Sequence, residues 1–204
     1  MILGAWGLGR KRLPYDAEVE YLEPTGTQWI DIPTNGVAGK YYSVEGHITA
    51  DTIANKVFFD TNTLNQFLSR GYSSSSDSQT FTSTVGNSST SGGWYVYTGV
   101  QTQFKVSTTG VTIYGVFYPL SRSLTSNFSI FRLFAKLSQT FNYAPMSQLK
   151  LHDLQIYSDA SLEHDFVPVR VGSGANAVGY LYDRVSGELF GNAGSGAFIV
   201  GPDK

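Results

Sequence analysis

Three sets of side chains in this 204-residue sequence have types and spacings that could do chemistry. Glu18 and Glu20 alternate along an extended-looking stretch with Glu23 just beyond, and a strand's side-chain period of two puts the first pair on one face. Two carboxylates flanking a sugar bond, one as acid and one as nucleophile or base, are the machinery of glycoside hydrolysis. A solvent-facing strand with Val19, Tyr21 and Leu22 turned inward accounts for the same letters and demands no special geometry. Asp153, Asp159, Glu163 and Asp165 gather around Ser158 and Ser161. Calcium requires several such oxygens on one compact loop, and this spacing matches no defined loop. His47, His152 and His164 stand apart from one another, without the paired spacing of a zinc site or the partners of a nucleophilic triad. The expectation is therefore a protein that is not an enzyme, with no catalytic residue, no assigned metal and no cofactor, calcium at a sheet rim being the one ion left open.

Binding chemistry has better candidates. Tyr72, Trp94, Tyr95 and Tyr97 lie in or beside a Ser/Thr/Asn-rich segment. Sugars present C–H faces that stack on aromatic rings, and short hydroxyl and amide side chains bond their hydroxyls, so these four residues are the candidate glycan surface. They could equally be core. Residues 1–14 form a second candidate, in which Met1, Ile2, Leu3, Trp6 and Leu8 interleave with glycine and are followed by Arg10, Lys11 and Arg12. Such a segment cannot bury its apolar side chains alone. It reads as a frayed terminus or, the reading taken forward, as an attachment arm with Trp6 as anchor, meeting other subunits of an assembly or further copies of this chain.

The elements that must position these residues read as strands. Residues 17–22, 29–32, 41–50, 56–60, 93–97, 103–107, 112–117, 128–135, 148–157, 166–171, 179–182 and 197–200 are alternating or rich in β-branched and aromatic types, each bounded by Gly, Asn, Ser or Pro. In 148–157 strict alternation would set Leu149, Leu151, Asp153, Gln155 and Tyr157 against Gln148, Lys150, His152, Leu154 and Ile156. The polar stretch 70–93 contains Phe81, Thr82, Thr84 and Val85, which makes it a surface hairpin or edge strand at the rim instead of a linker. No window keeps a 3.6-residue apolar period long enough for a helix. Pro14 restricts Leu13 and marks a boundary, leaving 15–204 as one domain.

Composition narrows the function classes. Hydrophobic residues at 41% supply a core, while charged residues at 15% and a net charge of −2 leave no basic stripe for nucleic acid. Zero cysteines remove disulfides, thiolate nucleophiles and cysteine-based zinc sites together. No apolar run reaches the roughly 18 residues of a membrane-spanning helix, and the basic cluster follows the short apolar start, the reverse of a secretory signal. The expectation is no membrane insertion and no visible signal peptide.

Two segments carry a family resemblance. Residues 15–31, YDAEVEYLEPTGTQWID, and the pair 165–170, DFVPVR, with 178–198, VGYLYDRVSGELFGNAGSGAF, resemble concanavalin A-like, laminin G-like jelly-roll domains of phage and prophage structural proteins and of gut-bacterial surface proteins. The resemblance implies an all-β fold, a two-sheet antiparallel jelly-roll sandwich of the lectin/glucanase type spanning about residues 15–204. A short D/N-G hairpin frequent in that family is replaced here by Thr108, Thr109 and Gly110. Laminarinase-type enzymes of the same fold carry their carboxylates mid-sheet, whereas Glu18 and Glu20 lie on the opening strand. The implied role is a non-catalytic, lectin-like virion or cell-surface structural and adhesion protein, with glycans as its small partners and a virion or extracellular surface as its location. The alternatives are a free-standing carbohydrate-binding module and, behind it, a glycoside hydrolase.

Overall fold

A computed structural model describes residues 13–34, 41–52, 56–61, 68–74, 78–84, 93–107, 109–119, 129–137 and 144–204. The attachment arm, with Trp6, Arg10, Lys11 and Arg12, lies outside them. In chain order the strands are β1 (Ala17–Glu18), β2 (Leu22–Glu23), β3 (Ile30–Pro33), β4 (Tyr42–Ala50), β5 (Lys56–Thr61) and β6 (Leu68–Ser74). Next come β7 (Ser78–Thr84), β8 (Gly93–Tyr97), β9 (Thr102–Ser107), β10 (Gly110–Ile113), β11 (Val116–Pro119) and β12 (Ile130–Leu133). The chain finishes with β13 (Ala144–Pro145), β14 (Leu149–Ser158), β15 (Ser161–Val171), β16 (Val178–Asp183), β17 (Leu189–Phe190) and β18 (Ile199–Val200). Among the described residues the one helical feature is a 3-10 turn, Gly174–Asn176, and no helix is long and apolar enough to cross a membrane.

The strands form two sheets, as the all-β sandwich expectation requires. The larger runs β11-β10-β9-β4-β14-β15-β16-β17, with β1 on β15, β2 on β14 and β18 on β2. The smaller runs β3-β12-β5-β6-β7-β8, with β13 on β5 as the single parallel pair among the described residues. Alternation decides which face is inside: in β4, Tyr42, Val44, Ile48 and Ala50 are buried, with Gly46 on the same face, while the residues of the other face are half-exposed. One core joins these to Ile30, Ile32, Phe58, Phe59, Phe131 and Leu133 of the smaller sheet. Phe58 meets Phe104 across the layers with ring centroids 5.3 Å apart, and each buried ring contributes about 1.5–3 kcal/mol.

The two segments that carry the family resemblance are two halves of one substructure. Gln28 is buried, its Oε1 accepting from Thr25 N–H at 2.7 Å and its Nε2 donating to the Ser195 carbonyl at 3.0 Å. Ala193 N–H donates to the Trp29 carbonyl at 2.8 Å, and Ser195 N–H to that of Thr27 at 3.0 Å. A Cβ on Gly194 would stand 2.2 Å from the Thr27 carbonyl oxygen, so only glycine fits there.

Three expected elements take a different form. The stretch 112–117 is not one strand, because Tyr114 and Gly115, both at positive φ, turn β10 into β11. The strand expected at 166–171 begins at Ser161, after a turn at Asp159 and Ala160 with φ of 47° and 65°. In β14 a bulge between Leu151 and Asp153 reverses the alternation. Leu149, Leu151, Leu154 and Ile156 therefore all point inward, and Lys150, Asp153, Gln155 and Tyr157 do not. The polar region does form a hairpin, β6–β7, although it is continued by β8 within the smaller sheet.

Candidate functional site

A tyrosine-lined groove lies where the end strands of the two sheets meet. β8 ends the path of the smaller sheet, β11 ends that of the larger, and β8 packs beside β10. Val96 is buried, so the side chains before and after it, Tyr95 and Tyr97, share the outer face of β8 and are 59% and 60% exposed. On the other wall, Tyr118 stands opposite Val111 and therefore shares that residue's face of the hairpin. Between β10 and β11 the loop has just two residues, Tyr114 at φ 50° and Gly115 at φ 75°. Such primed turns favour Asn, Asp or Gly, and a left-handed conformation costs another residue roughly 1–2 kcal/mol.

Local contacts offset that cost. The Tyr114 hydroxyl accepts the Tyr97 N–H at 3.2 Å and lies 3.1 Å from the Thr102 hydroxyl, while its ring sits 5.9 Å from that of Tyr97. With Ser78 and Ile113, the four tyrosines line a hollow of about 370 Å³. Of the four rings, Tyr114 is anchored by a backbone hydrogen bond; exposed rings of this kind offer a stacking surface, and their hydroxyls supply donors and acceptors at its margin. Tyr95 and Tyr97 were expected from sequence. Tyr114 and Tyr118 were not, although the Tyr-Gly pair inside an apolar run is a turn signal. Tyr72 and Trp94 belong to the backbones of β6 and β8, and their side chains lie outside the described residues.

The other candidates are engaged elsewhere. The Glu18 carboxylate accepts from the Tyr15 hydroxyl at 3.2 Å and from Arg184 at 3.2 and 3.3 Å; Glu20 is exposed, and neither lines the tyrosine groove. His47 Nδ1 lies 3.0 and 2.9 Å from the two oxygens of Asp153. His152 spans the Thr49 hydroxyl and the Glu20 carbonyl, each at 2.9 Å, and burial lowers its pKa. His164 is set between Asp183 at 2.9 Å and the Pro33 carbonyl at 3.0 Å, which ties the two sheets together. Burial pushes the Asp183 carboxyl up, and hydrogen bonds from Asp165 N–H, His164, Val185 N–H and Ser186 outweigh it, leaving the group below its ordinary value. Of the acids grouped in sequence, Asp159 accepts the Tyr41 N–H at 2.9 Å and Asp165 accepts from Gln155 at 3.1 Å. Among the described residues no three metal-binding side chains converge.

No family model matches the chain, and no curated protein matches it. A solved structure does. It is a Bacteroides ovatus protein described as a "putative carbohydrate binding protein", 9% identical, with a TM-score of 0.60 over 92% of this chain. The present chain spans 61% of that protein's length. At that identity the likeness is one of fold.

Proposed function

We propose that this chain is a non-catalytic glycan-binding domain of the concanavalin A-like, laminin G-like kind, displayed on a virion or cell-surface assembly. The observation that carries the binding is the groove of Tyr95, Tyr97, Tyr114 and Tyr118, four partly exposed rings gathered at a seam between sheets. The carbohydrate-binding description of the Bacteroides ovatus protein supports the same reading at the level of the fold. Display rests on the resemblance of residues 15–31, 165–170 and 178–198 and on the apolar and basic composition of residues 1–14.

A glycan array probed with the wild-type chain and with the Tyr95→Ala, Tyr97→Ala double variant tests the binding. The expected result is a set of bound glycans that the variant no longer retains while its melting temperature stays near wild type, since both rings are exposed. An empty array, or unchanged binding by the variant, overturns the reading. Deletion of residues 1–13 addresses display: the shortened chain should stay folded and fail to join its assembly. A wild-type monomer with clear glycan affinity and no assembly would instead make this a free-standing carbohydrate-binding module.

A further inference from the structure

We infer that the free edge of β11 pairs with β11 of a second copy of this chain, antiparallel across a twofold axis, so that the larger sheet runs on from one copy into the next. The inference stands apart from glycan binding.

Composition singles out this end of the molecule. From Ser78 to Ser121 the only charged residue is Lys105, although the chain carries 14 basic and 16 acidic side chains in 204 residues. That span supplies β7 to β11, and Lys105 is engaged by Glu45 at 2.8 Å. Its exposed side chains include Tyr95, Tyr97, Tyr114, Val116, Phe117 and Tyr118. A surface without charge and rich in Tyr and Phe has the composition of an interface centre. A charged partner finds nothing to pair with here, whereas a second copy brings the same neutral surface and no repulsion. Among the described residues β11 ends the path of the larger sheet, and all four of its residues are exposed. Edge strands are ordinarily shielded from self-pairing by charged side chains, and this one has none.

Hairpin geometry sets how the copies meet. Residues flanking a two-residue loop bond each other, so Val116 and, two residues on, Tyr118 turn their backbone groups toward β10. Phe117 and Pro119 turn theirs outward, and Pro119 has no N–H to give. Twofold pairing must also match the pleat, which leaves two registers near the middle of the strand. With Tyr118 opposite its own counterpart, the Phe117 carbonyl faces a proline nitrogen and stays unbonded. With Phe117 opposite its counterpart, each N–H meets the other copy's carbonyl, and Val116 packs on Tyr118 across the seam. The second register is therefore the one selected. The Phe117 ring leaves the edge open, since it lies back over Gly110, where a Cβ would stand 2.3 Å from it. Tyr118 also lines the tyrosine groove, so pairing brings a second copy to the rim of each groove.

Area sets the strength. Three half-exposed rings, Val116 and the strand's backbone offer roughly 450 Å² a copy, about 900 Å² in the pair, which belongs to weak and reversible association. The dimer should dissociate on dilution and be favoured where many copies are displayed together.

Sedimentation velocity of the full chain from about 1 to about 300 μM tests the pairing, and the average mass should climb toward twice that of the monomer. Phe117→Lys and Phe117→Glu should each weaken self-association at least ~10-fold, because like charges then face each other across the axis. Mixed in equal amounts, the two variants should form a dimer again, as only a residue that meets its own counterpart allows. Phe117 is exposed and does not line the tyrosine groove, so both variants should keep the wild-type melting temperature. Amide hydrogen exchange on the wild type needs no variant: the Phe117 N–H should exchange more slowly as concentration rises. A wild type that stays monomeric, variants that still dimerise, a mixture that does not, or a Phe117 amide indifferent to concentration overturns the pairing. So does a dimer lost on deletion of residues 1–13, which would assign the contact to the arm. None of these readouts uses a glycan, so failure of the groove reading leaves them unchanged.

Discussion

Tyr114 couples backbone strain to the proposed binding surface, and its hydroxyl and ring can be separated by substitution. Tyr114→Phe keeps the ring but removes the bonds to Tyr97 N–H and Thr102, and should cost about 0.5–1.5 kcal/mol in urea denaturation with glycan affinity largely kept. Tyr114→Asn suits the left-handed turn, so relief of strain offsets part of the lost bonding, while the missing ring should weaken binding. An Asn variant that binds like wild type would remove Tyr114 from the site. Asp183 poses a different question, one of pH. Its folded carboxyl titrates below the ordinary value of 3.8, so its contribution is complete above that value and is lost as pH falls through the folded value. Urea midpoints measured from neutral pH downward should therefore drop on the acid side of 3.8 in the wild type. Asp183→Asn should be less stable at neutral pH by about 1–3 kcal/mol, with a flatter acid limb. Parallel acid limbs in the two proteins would contradict the assignment.

β14 shows at the scale of an element what the sequence discloses and what it withholds. Leu149 and Leu151 are spaced by two, Leu154 and Ile156 likewise, but the gap between the pairs is three, and a strand with one buried face can absorb that phase change only through a bulge. The signal was present in the letters, and strict alternation mis-assigned both faces. Opposite the bulge, Gly46 is obligatory, since a Cβ there would meet the Asp153 carbonyl oxygen at 2.3 Å. Gly46→Ala should accordingly cost about 1–3 kcal/mol and disturb the outward set of Asp153, Gln155 and Tyr157, observable as lower thermal stability and as amide shifts along β14. An unperturbed Gly46→Ala protein would show that the bulge yields readily. Long strands such as β4 were legible because alternation and burial agree along them. The tyrosine groove was half legible: Tyr95 and Tyr97 stand out as a pair, whereas Tyr118 joins them only through a turn at Tyr114 and Gly115 and through the meeting of two sheets. Neither is encoded in local spacing.

At the scale of the molecule, the tyrosine groove depends on the layers holding together. The tyrosine groove takes one wall from β8 and the other from β10 and β11, so neither sheet could form it alone. Holding the layers is the task of the shared aromatic core, where Phe58 touches Phe104 of the facing sheet at 5.3 Å and Phe59 and Phe134 of its own layer at 5.4 and 6.5 Å. His164 adds a polar tie to the Pro33 carbonyl. Because buried residues of both sheets belong to a single cluster, unfolding should be one cooperative event, with far-ultraviolet circular dichroism and tryptophan fluorescence giving coincident denaturation curves. Phe58→Ala opens a cavity at the centre of that cluster and should shift both curves together by about 3–5 kcal/mol. If the two probes separated in the variant, the sheets would be independent cores, and a groove shared between them could not hold its rings in one arrangement.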